Sequence, residues 1–254
     1  VYVIGGSVIS VAGAWSDWAG ALVSVAIAST TLAGRDLWDH VRAVHGPLAE
    51  GHLPEARQAV AMIVGRDTDQ LSESGVARAA VETIAESLAD GVIAPLCYLA
   101  IGGAPLALAY KAINTLDSMV GHLDARHREF GWASARLDDV ANWIPARLAA
   151  VLLICAAGVL TGRFDRMRQG WGVLWRDGGQ HPSPNSGRPE AAMAGVLGVR
   201  LGGRNYYDGV AQERPVIGAE GRSPVPSDIE QASRIMVAAC GLGLCLAVGW
   251  RWLQ

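Results

Sequence analysis

Apolar and polar residues alternate along this chain in blocks rather than in single steps. Five runs are nearly free of charge: residues 1–16, 18–34, 91–110, 145–162 and 235–250. Between them lie three polar stretches, 35–90, 111–144 and 163–234. Apolar runs of this length predict helices that enter or cross a hydrocarbon layer ~30 Å thick, at ~1.5 Å rise per residue. The first two are separated by Asp17 in WSDW and predict a helical hairpin, its turn held at a membrane interface by Trp15 and Trp18. A buried hairpin in a soluble bundle is the competing reading. The last run ends in Trp250-Arg251-Trp252, an interfacial anchor.

Within 35–90, apolar positions recur at helical spacing in RDLWDHVRAV, LPEARQAVAMIV and GVARAAVETIAESLAD, which predicts amphipathic helices. Pro54 and Glu55 mark the start of the second helix and Gly65 its end, and Thr68 to Ser74 supplies caps for the third. The expected fold class is therefore all-α: one polytopic helical membrane domain over 1–254, with polar helical segments between the spans. The run 91–110 carries Pro95, Gly102, Gly103 and Pro105, which argue against a straight helix. A straight crossing would put the polar segments on its two sides on opposite faces of the membrane. A broken or re-entrant helix turning at Gly102-Gly103 would bring them together.

Composition adjusts this picture without changing it. Apolar residues make up 51% of the 254 and mean hydropathy is +0.24, between soluble and fully polytopic chains. With 21 basic and 24 acidic residues, the net charge is -3, and no basic stripe points to nucleic acid. Cys97, Cys155, Cys240 and Cys245 all lie in apolar runs without ligand spacing, so neither a disulfide framework nor a zinc site is expected.

The chemistry-bearing residues concentrate between Gly65 and Arg147. Glu82, Glu86 and Asp90 follow at i, i+4 and i+8, within ~80° of one helix face. Like charges so placed repel by ~0.2–0.5 kcal/mol per exposed pair. A hard cation such as Mg²⁺ would relieve them; a solvated acidic face, or pairing with Arg66 and Arg78, would do so too. Lys111 is the only lysine among the 21 basic residues. It repeats with Asn114 and Asp117 over ~120° of a second face, and suits a phosphate as a point charge. An interfacial lysine with Asn114 or Thr115 as an ordinary cap is the alternative. Arg136, Asp138, Asp139 and Asn142 cluster again at helical spacing, whereas His122 and His127, five apart, form no metal pattern and read as surface residues beside Asp124, Arg126 and Arg128. Downstream, SPNSGRPE places Ser183 and Asn185 ahead of a helix start at Pro189-Glu190, which is either an anion-binding loop or a plain surface loop. Walker A, GxGxxG and GxSxG motifs are absent.

The strings VGRDT, ARAAVETIAE, DGVIAPL, YKAINTLDSMVGH, FGWASARLDDVANWIPAR, HPSPNSGRPEAAMAG and LGVRLGG resemble the CbiB/CobD family of cobalamin biosynthesis, in order over residues 55–210. The resemblance implies an adenosylcobinamide-phosphate synthase, multi-pass in the cell inner or plasma membrane. Such an enzyme ligates aminopropanol or its O-phosphate to a propionate of adenosylcobyric acid, with ATP as co-substrate, Mg²⁺ as cofactor and the corrinoid as substrate. On that reading Glu82, Glu86 and Asp90 hold the metal, and Lys111, Asp117 and Asp139 serve catalysis. Arg66, Asp67, Asn114, Arg136, Asn142, Arg147, Ser183 and Asn185 bind substrate or phosphate. The partners implied are these substrates and the lipid bilayer, with no nucleic acid; a homo-oligomer or a complex with other late cobalamin-pathway enzymes is left open. The family pattern also has an Asp and a His-Pro motif ahead of the first hairpin, expected to be missing here, and Asn where this chain has Ser87. Two alternatives stand beside the enzyme: a non-catalytic AmpE-like signalling protein, and a transporter or scaffold.

Overall fold

A computed structural model describes residues 1–120 and 130–253; His122, Asp124, Arg126, His127 and Arg128 lie outside the described residues. The helix at the centre is α5, Glu73–Leu88. Ser72 caps it by accepting from the Gly75 amide at 3.1 Å, and nearly every face is buried, with Val76, Ala77, Ala80, Val81, Ile84 and Leu88 all closed to solvent. A helix apolar almost all round must be surrounded. Its neighbours are α3 (Gly34–Ala49), α4 (Leu53–Ala61), α10 (Gly187–Leu197) and α11 (Pro226–Trp252). The second amphipathic helix stops at Ala61, short of Gly65, and leaves 62–72 as a connecting loop.

Beyond α5 the backbone widens into one π-helical turn, Ala89–Ile93, and then into α6, Ala94–Val120. This helix is broken: Gly102 has φ −135° and ψ 17°, and Gly103 has φ 69° and ψ −169°, a region open in practice only to glycine. In a straight helix Tyr98 and Tyr110 would stand ~18 Å apart. Instead their rings stack with centroids 4.9 Å apart, and the Tyr110 hydroxyl lies 3.0 Å from the Asp90 carbonyl. The run 91–110 is thus a re-entrant pair of arms, and its two polar ends lie side by side as expected.

The hairpin of α1 (Tyr2–Trp15) and α2 (Asp17–Thr31) packs on the arms of α6. Gly20 lies against Gly13, where an added Cβ would meet the Gly13 Cα at 3.1 Å. These helices have 14 and 15 residues, about 21–23 Å of rise, less than a perpendicular crossing needs. By length and composition, three segments among the described residues can cross a membrane: Glu73–Val120, Trp143–Thr161 (α8) and Pro226–Trp252. The last begins well before the apolar run 235–250. Arg222 and the Val225 amide both bind the buried Asp228 carboxylate, so a charged first turn becomes part of the helix.

The stretch 163–234 is not helical throughout. After α9 (Phe164–Asp177) and α10 come two antiparallel strands, β1 (Leu201–Tyr207) and β2 (Val210–Ile217). The turn is Asp208-Gly209, with φ of 50° and 76°, the pair of positive angles that a two-residue hairpin loop takes. Hydrophobic alternation is missing here because Gly203, Asn205, Tyr207 and Arg214 face a polar cleft rather than a core. A bulge at Gly202/Gly203 bends β1 over α5.

Replacing Gly103 by Ala is expected to cost about 1–3 kcal/mol. Thermal unfolding of purified protein in detergent checks this; an unchanged midpoint would mean that the turn is not strained for a side chain.

Candidate functional site

The three carboxylates of α5 and its π turn share one face, and each meets a different set of neighbours. Glu82 is nearly closed to solvent. It is paired with Arg66 and accepts from the Gly202 amide at 2.7 Å, while Arg78 Nε stands 3.9 Å away. Arg66 and Arg78 also converge on Asn205, whose Oδ1 accepts from both at 2.9 and 2.8 Å. Burial opposes the Arg66 charge, yet the Glu82 carboxylate beside it holds its pKa above the ordinary arginine value. This wall is the face of the β-hairpin that looks onto α5.

One turn along, the exposed Glu86 accepts from the Ser186 hydroxyl at 3.0 Å. The loop before α10 carries Ser186 and ties itself together: Ser183 Oγ accepts from the amides of Asn185 and Ser186, both at 3.2 Å. Asn185 Nδ2 donates to the Asp139 carbonyl at 2.8 Å. A carbonyl only accepts, so this amide cannot be reversed. Its buried Oδ1 has no partner among the described residues, and what Asn185 still offers is an acceptor, suited to an N–H or O–H group.

At the third level Asp90 lies within electrostatic reach of Glu86, Asp138, Lys111 and Asp117. Asn114 donates to Asp138 at 3.2 Å and Asn142 donates to its other oxygen at 3.0 Å. Asn142 is fully buried and accepts from the Tyr110 hydroxyl at 2.8 Å, so it ties the second arm of α6 to Asp138. Among the described residues no three His, Cys, Asp or Glu side chains stand close enough to ligate one metal.

Behind the cleft, Glu190 of α10 is buried, its Oε1 4.0 Å from His181 Nε2. The Ser183 amide donates to His181 Nδ1 at 3.0 Å, which places the proton of the neutral ring on Nε2. Burial, then Arg214 nearby, lowers the His181 pKa. Burial, then the charges on Glu82 and Glu86, push the Glu190 carboxyl well above the ordinary range.

Residues 1–236 match the family model described as CobD/Cbib protein. The chain belongs to the CobD/CbiB family. Its relatives include a "Cobalamin biosynthesis protein CobD" of Photorhabdus laumondii, 52% identical over 229 residues, covering 90% of this chain and 71% of that protein. The protein of the same name in Yersinia enterocolitica is 50% identical over 231 residues, covering 91% and 72%. A "Cobalamin biosynthesis protein CbiB" of Salmonella choleraesuis is 47% identical over 237 residues, covering 92% and 72%. No solved structure matches the chain.

In this CobD/CbiB chain several of the expected site residues are neighbours along one face of α5 and its π turn: Glu82 pairs with Arg66, Glu86 meets the loop that carries Asn185, and Asp90 lies within electrostatic reach of Lys111 and Asp117, with Asn114 on the adjacent Asp138. Others are engaged elsewhere. The Asp67 carboxylate accepts from the Asp208 and Gly209 amides at 3.2 and 2.8 Å and so pins the hairpin turn. Arg147 lies over the Trp143 ring, 4.0 Å from its centroid, and donates to the Trp143 carbonyl. Arg136 is exposed and 3.6 Å from Asp139, and Ser183 is spent on its own loop. Burial raises the Asp139 pKa against the pull of Arg136. The wall residues Asn205, Tyr207, Arg214, His181 and Glu190 escape sequence reasoning, although YYDG is a hairpin signal that could have placed the first three.

A carboxyl whose pKa is raised by folding contributes its full stability below the ordinary glutamate range and loses it as pH rises toward the folded value. Wild-type protein is therefore expected to lose stability relative to Glu190→Gln as pH rises above the ordinary glutamate range. Thermal unfolding of both proteins across that rise in pH checks the sign; parallel curves would remove Glu190 as a buried proton carrier.

Proposed function

We propose that this chain acts in cobalamin biosynthesis as an ATP-dependent amide ligase of the inner membrane, joining aminopropanol or its O-phosphate to a propionate of adenosylcobyric acid. The role in cobalamin biosynthesis rests on the family and on the names of its relatives. Support for the ligase reading comes from one observation above all. The re-entrant turn of α6 brings Lys111 and Asp117 within electrostatic reach of Asp90, as Glu86 is, on the helix face whose Glu82 pairs with Arg66.

A carboxylate is a poor electrophile in water, so the propionate must be activated. Its oxygen attacks the γ-phosphorus of ATP, the bond to the β-phosphate oxygen breaks, and ADP leaves. The amine nitrogen then attacks the acyl carbon, and inorganic phosphate departs with the C–O bonding pair. Lys111 and Arg66 are the cations for the phosphate groups, one as a point charge and one as a planar fork. Asp117 or Asp139 takes the proton that the ammonium must lose before attack. Asn185 Oδ1 is an acceptor on the same side of the cleft.

Mg²⁺ is expected with ATP. Both oxygens of Glu82 are committed to Arg66 and the Gly202 amide, so a cage of all three α5 carboxylates does not fit. Glu86 and Asp90 do fit, because Mg²⁺ commonly takes one or two carboxylates and completes its shell with water and phosphate oxygens. When bound, the ion would neutralise phosphate charge.

Purified protein in detergent, given adenosylcobyric acid and the amine, is expected to form the amide only with Mg²⁺-ATP, with product followed by mass spectrometry. Lys111→Ala and Asp117→Asn are each expected to slow turnover by at least ~100-fold. Turnover unchanged in both variants would sink this assignment.

A further inference from the structure

Asn205 lies on the inward face of β1, only 2% exposed, between two guanidinium groups. Its Oδ1 accepts from Arg66 Nη1 and from Arg78 Nη2, at 2.9 and 2.8 Å. Guanidinium groups only donate, so the amide cannot be turned round, and the other end must be NH₂. That Nδ2 is buried and has no partner among the described residues. Arg78 Nε is in the same position, with Glu82 Oε1 too distant at 3.9 Å. Native structures seldom leave buried donors unmet, and here two residues that bond each other each carry one.

Charge points the same way. Arg66 and Arg78 share a single carboxylate, Glu82, and that carboxylate is also drawn upon by the Gly202 amide. The Gly202 and Arg204 carbonyls also accept from Arg78 but bring no countercharge, so one positive charge in a largely buried wall is left over, a state that burial disfavours unless an anion joins it. Gly203, with φ +82°, lets the strand approach closely, and an added Cβ there would touch Arg78 Nη1 at 3.4 Å.

We infer that Asn205, Arg78 and Arg66 form a subsite on the hairpin wall for a tetrahedral oxyanion, a phosphate group. The two unmet donors come from a helix and a strand, Arg66 on the loop adds positive charge beside them, and a phosphate group offers both several acceptor oxygens and the negative charge this arrangement lacks. The subsite stands on this geometry; that its phosphate belongs to ATP or to a phosphorylated amine rests on the ligase reading above.

The decisive variant is Asn205→Asp. It keeps the oxygen that both arginines hold and exchanges only the unmet NH₂ for an oxygen that repels an anion. Calorimetric titration of the full chain in lipid-free detergent with inorganic phosphate is expected to show binding at least about tenfold weaker in N205D than in wild type. The melting midpoint in phosphate-free buffer should not fall. Equal phosphate affinity in the two proteins overturns the subsite. So does wild-type protein whose melting midpoint does not rise with phosphate, a measurement that needs no variant. In the ligation assay a raised KM for ATP or for the amine phosphate supports the subsite and says which of them it holds; an unchanged KM for both overturns it. Phosphate binding lost in N205D by a wild-type protein that ligates nothing would leave the subsite standing and defeat the ligase reading instead.

Discussion

A carboxylate buried in the middle of a helix bundle has to be paired, and Glu82 meets that demand with partners from three separate parts of the chain. Arg66 comes from the loop after α4, Arg78 from one turn earlier on α5, and the Gly202 amide from the hairpin more than a hundred residues downstream. An isolated buried charge costs several kcal/mol, and removing one partner of such a pair typically costs about 3–5 kcal/mol. The pairing therefore holds the hairpin on α5, and with it one wall of the cleft. It also explains why Glu82 stands apart from Glu86 and Asp90, which share its helix face yet keep oxygens available to other groups.

The second constraint is the turn of α6. A polar cluster interrupted by twenty uncharged residues can be one site only if the chain returns to the side from which it left. Gly103 supplies the backbone angles, Tyr98 stacks on Tyr110, and Asn142 ties Tyr110 to Asp138. In an apolar layer non-helical backbone is tolerated where protein buries it. Here Gly102 and Gly103 are half-buried, and Gly103 lines a cavity bounded by the α1–α2 hairpin, α6 and α11.

Small residues make the close packing possible. Alanines of α5, α8 and α10 fill much of the core, and α9 crosses α10 where a Cβ on Gly195 would lie 2.7 Å from the Gly170 Cα. Helices this close bring short polar side chains, such as Asn185 and Ser186, within bonding reach of neighbours on other elements.

Periodicity along the chain was enough to find the helices, because burying an apolar stripe is a local demand written at 3.6-residue spacing. Pro54 at a helix start, a cap between Thr68 and Ser74 (Ser72 in the fold) and the break at Gly102-Gly103 are legible for the same reason: each answers a backbone need within a few residues. The acidic face Glu82–Glu86–Asp90 and the Lys111–Asn114–Asp117 face were legible too, since a helix maps spacing onto direction. Partnership was not. Asp67 capping a hairpin 141 residues away, Asn205 between two arginines, and Arg147 lying over Trp143 instead of the cleft depend on which surfaces meet. The strands were missed because their inward positions face a polar cleft, so the hydrophobic alternation that marks a strand never formed. The sequence by itself determined where the chain is apolar, where it turns and which charges share a helix face. Only the tertiary structure decided which of those charges neutralise one another and which donors and acceptors remain unmet, because pairing is a property of distance in space.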